Sequence, residues 1–210
     1  MYNSYFLSVR QARTCRIAAA FFLAAALIRF ASVVASTIWT PTPVADVRCA
    51  NFHCHATERP DLLLPESERA IIATSPGAMV RLVEYAHRPA VRIGLAATNL
   101  GEAAPLVFLL LSVAVATWRL GARGTDDLAR ALPWLGRASL AALVAAVVPP
   151  LGDSLRAMLL FPAAPSGPYW YFEIDLGPLV MRLLLACAAF IVSWALAAGS
   201  RARRDLAEFV

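Results

Sequence analysis

Long apolar runs alternate with polar stretches along this 210-residue chain. Four of the runs are long enough to cross a bilayer as a helix, which takes about 20 predominantly apolar residues. They predict membrane spans at residues 17–39, 97–119, 138–158 and 176–198. The predicted fold class is therefore an all-α membrane protein, in which four transmembrane helices form a bundle within a single domain over residues 1–210.

The first run has a second interpretation, which is a cleaved signal peptide. Three arginines between positions 10 and 16 precede an uncharged apolar core at residues 17–28, as in a secretory signal. The apolar pattern resumes after Arg29, however, and Trp39 would anchor the end of the helix at the membrane surface. These two features favour a retained span.

The longest polar stretch, residues 40–96, predicts a larger extracytoplasmic loop between the first and second spans. Within it, ERPDLLLPESER indicates a loop. The segments MVRLVEY and AVRIGLA alternate weakly between apolar and polar residues and flank AHRP, which predicts a short strand hairpin.

The third run contains Pro149 and Pro150. Proline removes a backbone donor and clashes with the preceding turn, so this pair predicts a kink or a break. Gly152 and Asp153 then mark the point where the chain leaves the membrane. In the preceding charged connection, a helix start is predicted at Thr125.

The arginines set the predicted orientation, since all 19 basic residues are arginine. Ten lie in the two tails and in the connection 119–137, beside four acidic residues; the other side has seven arginines and ten acids in longer loops. Basic residues in short loops concentrate on the cytoplasmic side. Both termini are therefore predicted to be cytoplasmic. The heavy use of Arg and Ala is typical of a GC-rich bacterial genome. Together with the four spans and the cytoplasmic arginines, it predicts a protein of the bacterial inner membrane.

Composition argues against two other classes of protein. A hydrophobic content of 60% is too high for an ordinary soluble domain. The formal net charge of +5 raises the question of nucleic-acid binding, but the arginines cluster at the ends of apolar runs and form no basic helix. The lipid bilayer is the expected partner of these charges, and no direct nucleic-acid binding is expected.

Two cysteines and two histidines fall close together in VRCANFHCH. In an oxidising extracytoplasmic compartment, two cysteines five positions apart most often form a disulfide, which is the predicted role of Cys49 and Cys54. Three alternatives stay open: unpaired thiols, catalytic thiol chemistry, and a zinc site that includes His53 and His55. The spacing matches no common zinc finger, so no metal site is predicted.

The second half of the chain resembles a known family. LARALPWLGRASLAALV and YFEIDLGPLVMRLLLACAAFIVSWALAAGSRARRDLAEFV are similar to the bacterial membrane family called domain of unknown function 2975, over residues 97–210. That family ends in an apolar helix preceded by an apolar residue and an acid, and followed by an Arg- and Glu-rich tail. The matching positions are Phe172, Asp175, Arg203, Arg204, Glu208 and Val210, together with Leu128, Leu132 and Gly136 before the third span.

The resemblance implies little chemistry, because the family has no assigned activity and hence no catalytic residues to carry over. Its members are often encoded beside a small helix-turn-helix regulator. This association implies a membrane-regulatory role and such a regulator as a protein partner. The long cysteine-containing first loop departs from the family pattern.

Three ionisable residues fall inside the predicted spans: Arg29, Glu102 and Arg182. A helix rise of 1.5 Å per residue places Glu102 and Arg182 about 24 Å, and Arg29 about 20 Å, from the cytoplasmic ends of their spans. One interpretation is that the side chains extend to the outer headgroups. The others are a buried polar cluster, in which Glu102 faces Arg182, and a substrate or ion site.

No catalytic motif is present, neither HExxH, nor GxSxG, nor a phosphate-binding glycine loop. A quinone-linked thiol oxidase would need Cys-x-x-Cys and a second cysteine pair, whereas the outer loop 152–175 has no cysteine. The sequence predicts a non-enzymatic protein without a cofactor, with a regulatory or partner-binding role. The alternative is an oligomeric transporter or channel, and the remote alternative is a membrane thiol oxidoreductase.

Overall fold

The computed structural model describes residues 9–39, 45–50, 53–122, 127–168, 170–172 and 174–208. Its elements, in chain order, are α1 (Val9–Trp39), β1 (Ala45–Ala50), β2 (His53–Glu58), a first 3-10 turn (Pro60–Leu63), α2 (Glu66–Thr74), α3 (Ala78–Ala86), α4 (Pro89–Leu120), α5 (Asp127–Leu160), a second 3-10 turn (Phe161–Ala163) and α6 (Leu176–Glu208). The two strands form an antiparallel pair.

Four helices are long and apolar enough to cross a membrane, which confirms the predicted number of span-length helices. The span-length segments are Arg10–Thr37, Pro89–Leu120, Arg130–Ala163 and Leu176–Leu196. Three helices begin well before their predicted spans: α1 begins at Val9 rather than 17, α4 at Pro89 rather than 97, and α5 at Asp127 rather than 138. Polar residues extend these helices beyond the apolar runs from which the spans were predicted.

The strand hairpin predicted for MVRLVEY and AVRIGLA is wrong, because these residues form α3 and the start of α4. Ala78, Leu82 and Ala86 are buried at four-residue intervals, so a helical period outweighs the weak alternation. ERPDLLLPESER is not a plain loop either, since it contains the first 3-10 turn and the first residues of α2.

The break predicted at Pro149 and Pro150 does not occur, because α5 runs through both prolines to Leu160. Prolines are tolerated within membrane helices where neighbouring groups satisfy the backbone. Gly152 and Asp153 are therefore helical residues, not the end of the helix.

The chain divides into two compact units. The first unit comprises the described residues of Met1–Phe30, Ala104–Val147 and Leu176–Val210. The second unit comprises those of Ala31–Ala103 and Val148–Asp175.

In the first unit, small side chains are buried and large ones are exposed. Ala12, Ala19 and Ala26 of α1 are buried at intervals of seven residues, whereas Phe21 and Ile28 are each 69% exposed. This distribution is typical of helices that pack in lipid, because small residues let the helix backbones approach closely.

The second unit differs in that it also has large apolar side chains inside. Leu64, Leu82, Leu95, Leu160 and Phe161 are each at most 2% exposed. This core joins α2, α3 and the second 3-10 turn to the beginning of α4 and the end of α5. Burial of such side chains stabilises the packing of these helices.

Candidate functional site: an arginine-centred polar network

Four polar side chains of the second unit form one network between α4 and α5. Asn99 and Glu102 are three residues apart on α4, and Asp153 and Arg156 are three residues apart on α5. Residues at this spacing share one face of a helix. Each helix therefore contributes two polar groups, on a single face, to the network.

Arg156 is the centre of the network, since each of its three guanidinium nitrogens bonds a different side chain. Its Nε donates to Asn99 Oδ1 at 3.0 Å, and its Nη1 donates to Asp153 Oδ1 at 2.6 Å. Its Nη2 donates to Glu102 Oε2, with which it forms an ion pair. The planar guanidinium presents its donors in a fixed fork, so the three partners hold it in a single orientation.

The network is shielded at its centre and open at one edge. The side chain of Arg156 is 11% exposed and that of Glu102 is 22% exposed, whereas that of Asp153 is 73% exposed. A Cβ atom built on Gly152 would lie 3.3 Å from Glu102 Oε2. The missing side chain at Gly152 therefore lets the carboxylate of α4 reach the backbone of α5.

Only one of the three ionisable residues predicted to form a cluster belongs to this network. Glu102 does, but its ion-pair partner is Arg156, which was not among the predicted residues. Arg29 and Arg182 belong to the first unit, where Arg182 is exposed. The cluster of Arg29, Glu102 and Arg182 stays a prediction.

The predicted disulfide involves residues of the β1–β2 pair. The register places Cys49 directly opposite Cys54. Directly opposite residues of an antiparallel pair lie about 4.5 to 5.5 Å apart at Cα, within the range of disulfides. The side chains of Cys49 and Cys54 lie outside the part of the chain that the structure describes, so the disulfide itself stays a prediction.

The same register bears on the zinc alternative. His55 pairs with Arg48, and His53 pairs with Ala50, so the histidines occupy the positions on either side of the Cys49–Cys54 pair. The register pairs the cysteines with each other and neither histidine with a cysteine. The zinc alternative stays open, since the side chains of these strands lie outside the described part of the chain.

A groove of about 690 Å³ lies beside the first 3-10 turn, α2 and α3 in the second unit. Leu62, Met79 and Val80 give it an apolar lining. Its polar wall is fixed by Arg59, whose Nε and Nη2 donate to the two carboxylate oxygens of the buried Asp61 at 2.9 and 2.7 Å.

The turn between α2 and α3 shapes this groove and depends on a glycine. Gly77, which lines the groove, precedes α3 with a φ of +71°. This left-handed conformation is accessible to glycine at little cost and strains other residues.

Neither the described side chains nor the comparisons assign a reaction to the chain. Among the described residues, no group of three or more His, Cys, Asp or Glu side chains could hold a metal ion. Of the four cysteines, the structure describes the side chains of Cys15, which is half-buried, and Cys187, which is exposed. Both of these thiols are free. Comparisons with family models, curated proteins and solved structures find no match, so the resemblance noted above stays an expectation.

Proposed function

We propose that the chain is a multi-pass protein of the bacterial inner membrane with both termini in the cytoplasm. Its four span-length helices and the exposed large apolar residues of the first unit support a membrane location. The excess of arginine in the tails and in the connection 119–137 supports the orientation. In this orientation, α2 and α3 lie outside the cytoplasm.

Its proposed role is non-enzymatic binding of a protein partner. One observation carries this role: in the second unit, charged side chains hold helices together while apolar side chains beside the groove stay exposed. Arg156 uses its three nitrogens on Asn99, Asp153 and Glu102. In contrast, Val80 is 69% exposed and Leu62 is 40% exposed. Apolar residues at the edge of a groove are suited to a protein partner with an apolar contact surface.

Site-specific photo-crosslinking in native membranes tests this role. A crosslinker at Leu62 or at Val80 should yield one product of the same mass, because both residues line the groove. Ile71 is a matched control, since it is a 42% exposed apolar residue of the same unit that does not line the groove. The same product at all three positions, or none at Leu62 and Val80, would contradict a groove-bound partner.

The regulator implied by the family resemblance would bind elsewhere. A helix-turn-helix protein is cytoplasmic and would have to contact the tails or the connection 119–137. Alkaline phosphatase fused after Pro60 should be active and fused after Val210 inactive, and the reverse pattern would contradict the proposed orientation.

An oligomeric transporter or channel is the second candidate. It is favoured by the Glu102–Arg156 ion pair, since charged residues within membrane spans often line substrate or ion pathways. The crosslinking experiment separates the candidates, because a product of twice the mass of the chain would indicate self-association instead of a different partner.

A further inference from the structure

A cavity of about 660 Å³ lies between α1 and α4 in the first unit, beside the beginning of α5. Its wall is mostly apolar and includes Leu23, Leu111, Val115 and Trp118. Its polar lining comes from Arg119 and Arg130. The cavity therefore combines an apolar crevice with two cationic side chains.

The arginines lie at one end of this crevice. Arg119 and Arg130 lie at the end of α4 and near the start of α5, and Arg119 Nη1 donates to the carbonyl of Arg130 at 3.2 Å. The guanidinium of Arg119 also lies 5.7 Å from the ring centroid of Trp134. These two contacts orient Arg119 and leave most of its five N–H donors available to a ligand.

A third arginine lies at the same end. A Cβ atom built on Gly121 would lie 3.1 Å from the carbonyl oxygen of Ala12 and 3.2 Å from Cγ of Arg16. The beginning of α1 and the end of α4 therefore approach closely at this glycine. Arg16 lies one helical turn before Ala20, which lines the cavity.

No acidic group balances this charge within the part of the first unit whose side chains are described. The cavity lining contains no Asp or Glu, and neither do residues 10–30, 104–122, 130–147 and 176–196. Guanidinium groups form their strongest hydrogen bonds with carboxylates and phosphates. An anion is therefore the complementary ligand for this end of the cavity.

We propose that this cavity binds an anionic phospholipid, with an acyl chain in the crevice and the phosphate at Arg119 and Arg130. Basic pockets between membrane helices bind acidic lipid headgroups in this way. A free phosphate ion would use only the arginines and leave the apolar crevice empty, so the combination favours a lipid. The inference rests on the proposed membrane location, but not on the proposed protein partner.

Native mass spectrometry of the detergent-purified, delipidated full chain provides the test. Phosphatidylglycerol should bind at least about tenfold more tightly than phosphatidylcholine, and inorganic phosphate should not displace it. Arg119→Gln and Arg130→Gln should each weaken phosphatidylglycerol binding by about tenfold, the factor expected for one charge-assisted hydrogen bond. Arg10→Gln is the charge-matched control, since Arg10 is exposed on α1 and does not line the cavity.

A second variant tests the crevice without altering its charge. Ala20→Phe places a ring in the cavity from an exposed position on α1 and should abolish tight lipid binding. Ala188→Phe on α6 is its control, because Ala188 is also exposed and does not line the cavity. If Ala20→Phe binds phosphatidylglycerol as the unaltered chain does, the crevice does not hold the acyl chain and the proposal is wrong.

The lipid site and the membrane location can be contradicted separately. Equal binding of the two lipids, displacement by inorganic phosphate, or unchanged binding in Arg119→Gln and Arg130→Gln would overturn the lipid site. Alkaline carbonate extraction of the same membranes tests the location by itself. Release of the chain into the soluble fraction would contradict the membrane location, whichever lipid binds.

Discussion

Replacing Arg156 with methionine is the most direct test of the polar network. Methionine retains much of the apolar stem of the side chain but removes the three guanidinium nitrogens, which donate to Asn99, Glu102 and Asp153. The variant thus leaves the Glu102 carboxylate in a site where its side chain is 22% exposed, without its cation.

The expected loss follows from this burial. Removal of one partner of a buried ion pair destabilises a protein by roughly 3–5 kcal/mol. Partial hydration of Glu102 places Arg156→Met near the lower end, at about 3 kcal/mol. Glu102→Gln keeps an acceptor oxygen and leaves Arg156 with Asn99 and Asp153, so the expected loss is about 1 kcal/mol.

The assay is reversible unfolding in mixed micelles, followed by circular dichroism, for both single variants and the double variant. Once Arg156 is absent, Glu102→Gln removes a buried carboxylate charge that has no cation. The double variant should therefore lose less stability than the sum of the two single losses. The expected coupling energy is about 1–3 kcal/mol. Arg92→Met is the matched control, because Arg92 is an exposed arginine of α4 in the same unit.

Additive losses for Arg156→Met and Glu102→Gln, within about 0.5 kcal/mol, would refute the network as a source of stability. Coupling of the same size between Arg92 and Glu102 would show that the effect is not specific to the pair. The same cycle with Arg182 tests the cluster predicted from the sequence, since additivity there would remove Arg182 from it.

Two further predictions concern the second unit. Cys49 and Cys54 should resist alkylation until a reductant is added, and complete alkylation of both thiols before reduction would exclude the disulfide. Cys49→Ser should lower the free energy of unfolding by only about 2 kcal/mol, because the loop that the disulfide closes is short. Gly77→Ala should lower the free energy of unfolding by about 1–2 kcal/mol, because its φ of +71° is strained for alanine. The control is Gly101→Ala, at a helical position with open space around it, and an equal loss there would contradict this reason.

Apolar run length predicted the four long helices, but not where α1, α4 and α5 begin or where α6 ends. A run of about 20 apolar residues has few alternatives to a membrane helix, so its existence is strongly determined. The first turns of α4 and α5 contain Arg92 and Arg130. Backbone hydrogen bonds extend the helix through these charged residues, whereas a search for apolar runs stops at them. The short α3 was missed because its nine residues fit both a helical and an alternating pattern.

Part of the polar network was also visible in the sequence. Glu102 was identified because it interrupts an apolar run, whereas Arg156 was assigned to an outer loop, after the expected break at Pro149 and Pro150. Asp153 and Arg156 share a helix face only because α5 continues through both prolines. Which of several arginines pairs with Glu102 depends on how α4 packs against α5, and this packing cannot be deduced from local sequence patterns.

The alanine-lined face of α1 has a consequence for how the protein responds to temperature. In a bilayer, burial of Ala12, Ala19 and Ala26 replaces lipid contacts and removes little surface from water. This packing therefore contributes little to the heat capacity change of unfolding. In the proposed orientation, α2 and α3 lie outside the cytoplasm and the core around Leu82 and Phe161 is buried from water, so it does contribute and its stability weakens on cooling. Cold should thus loosen the second unit while the alanine interface of the first unit stays closed.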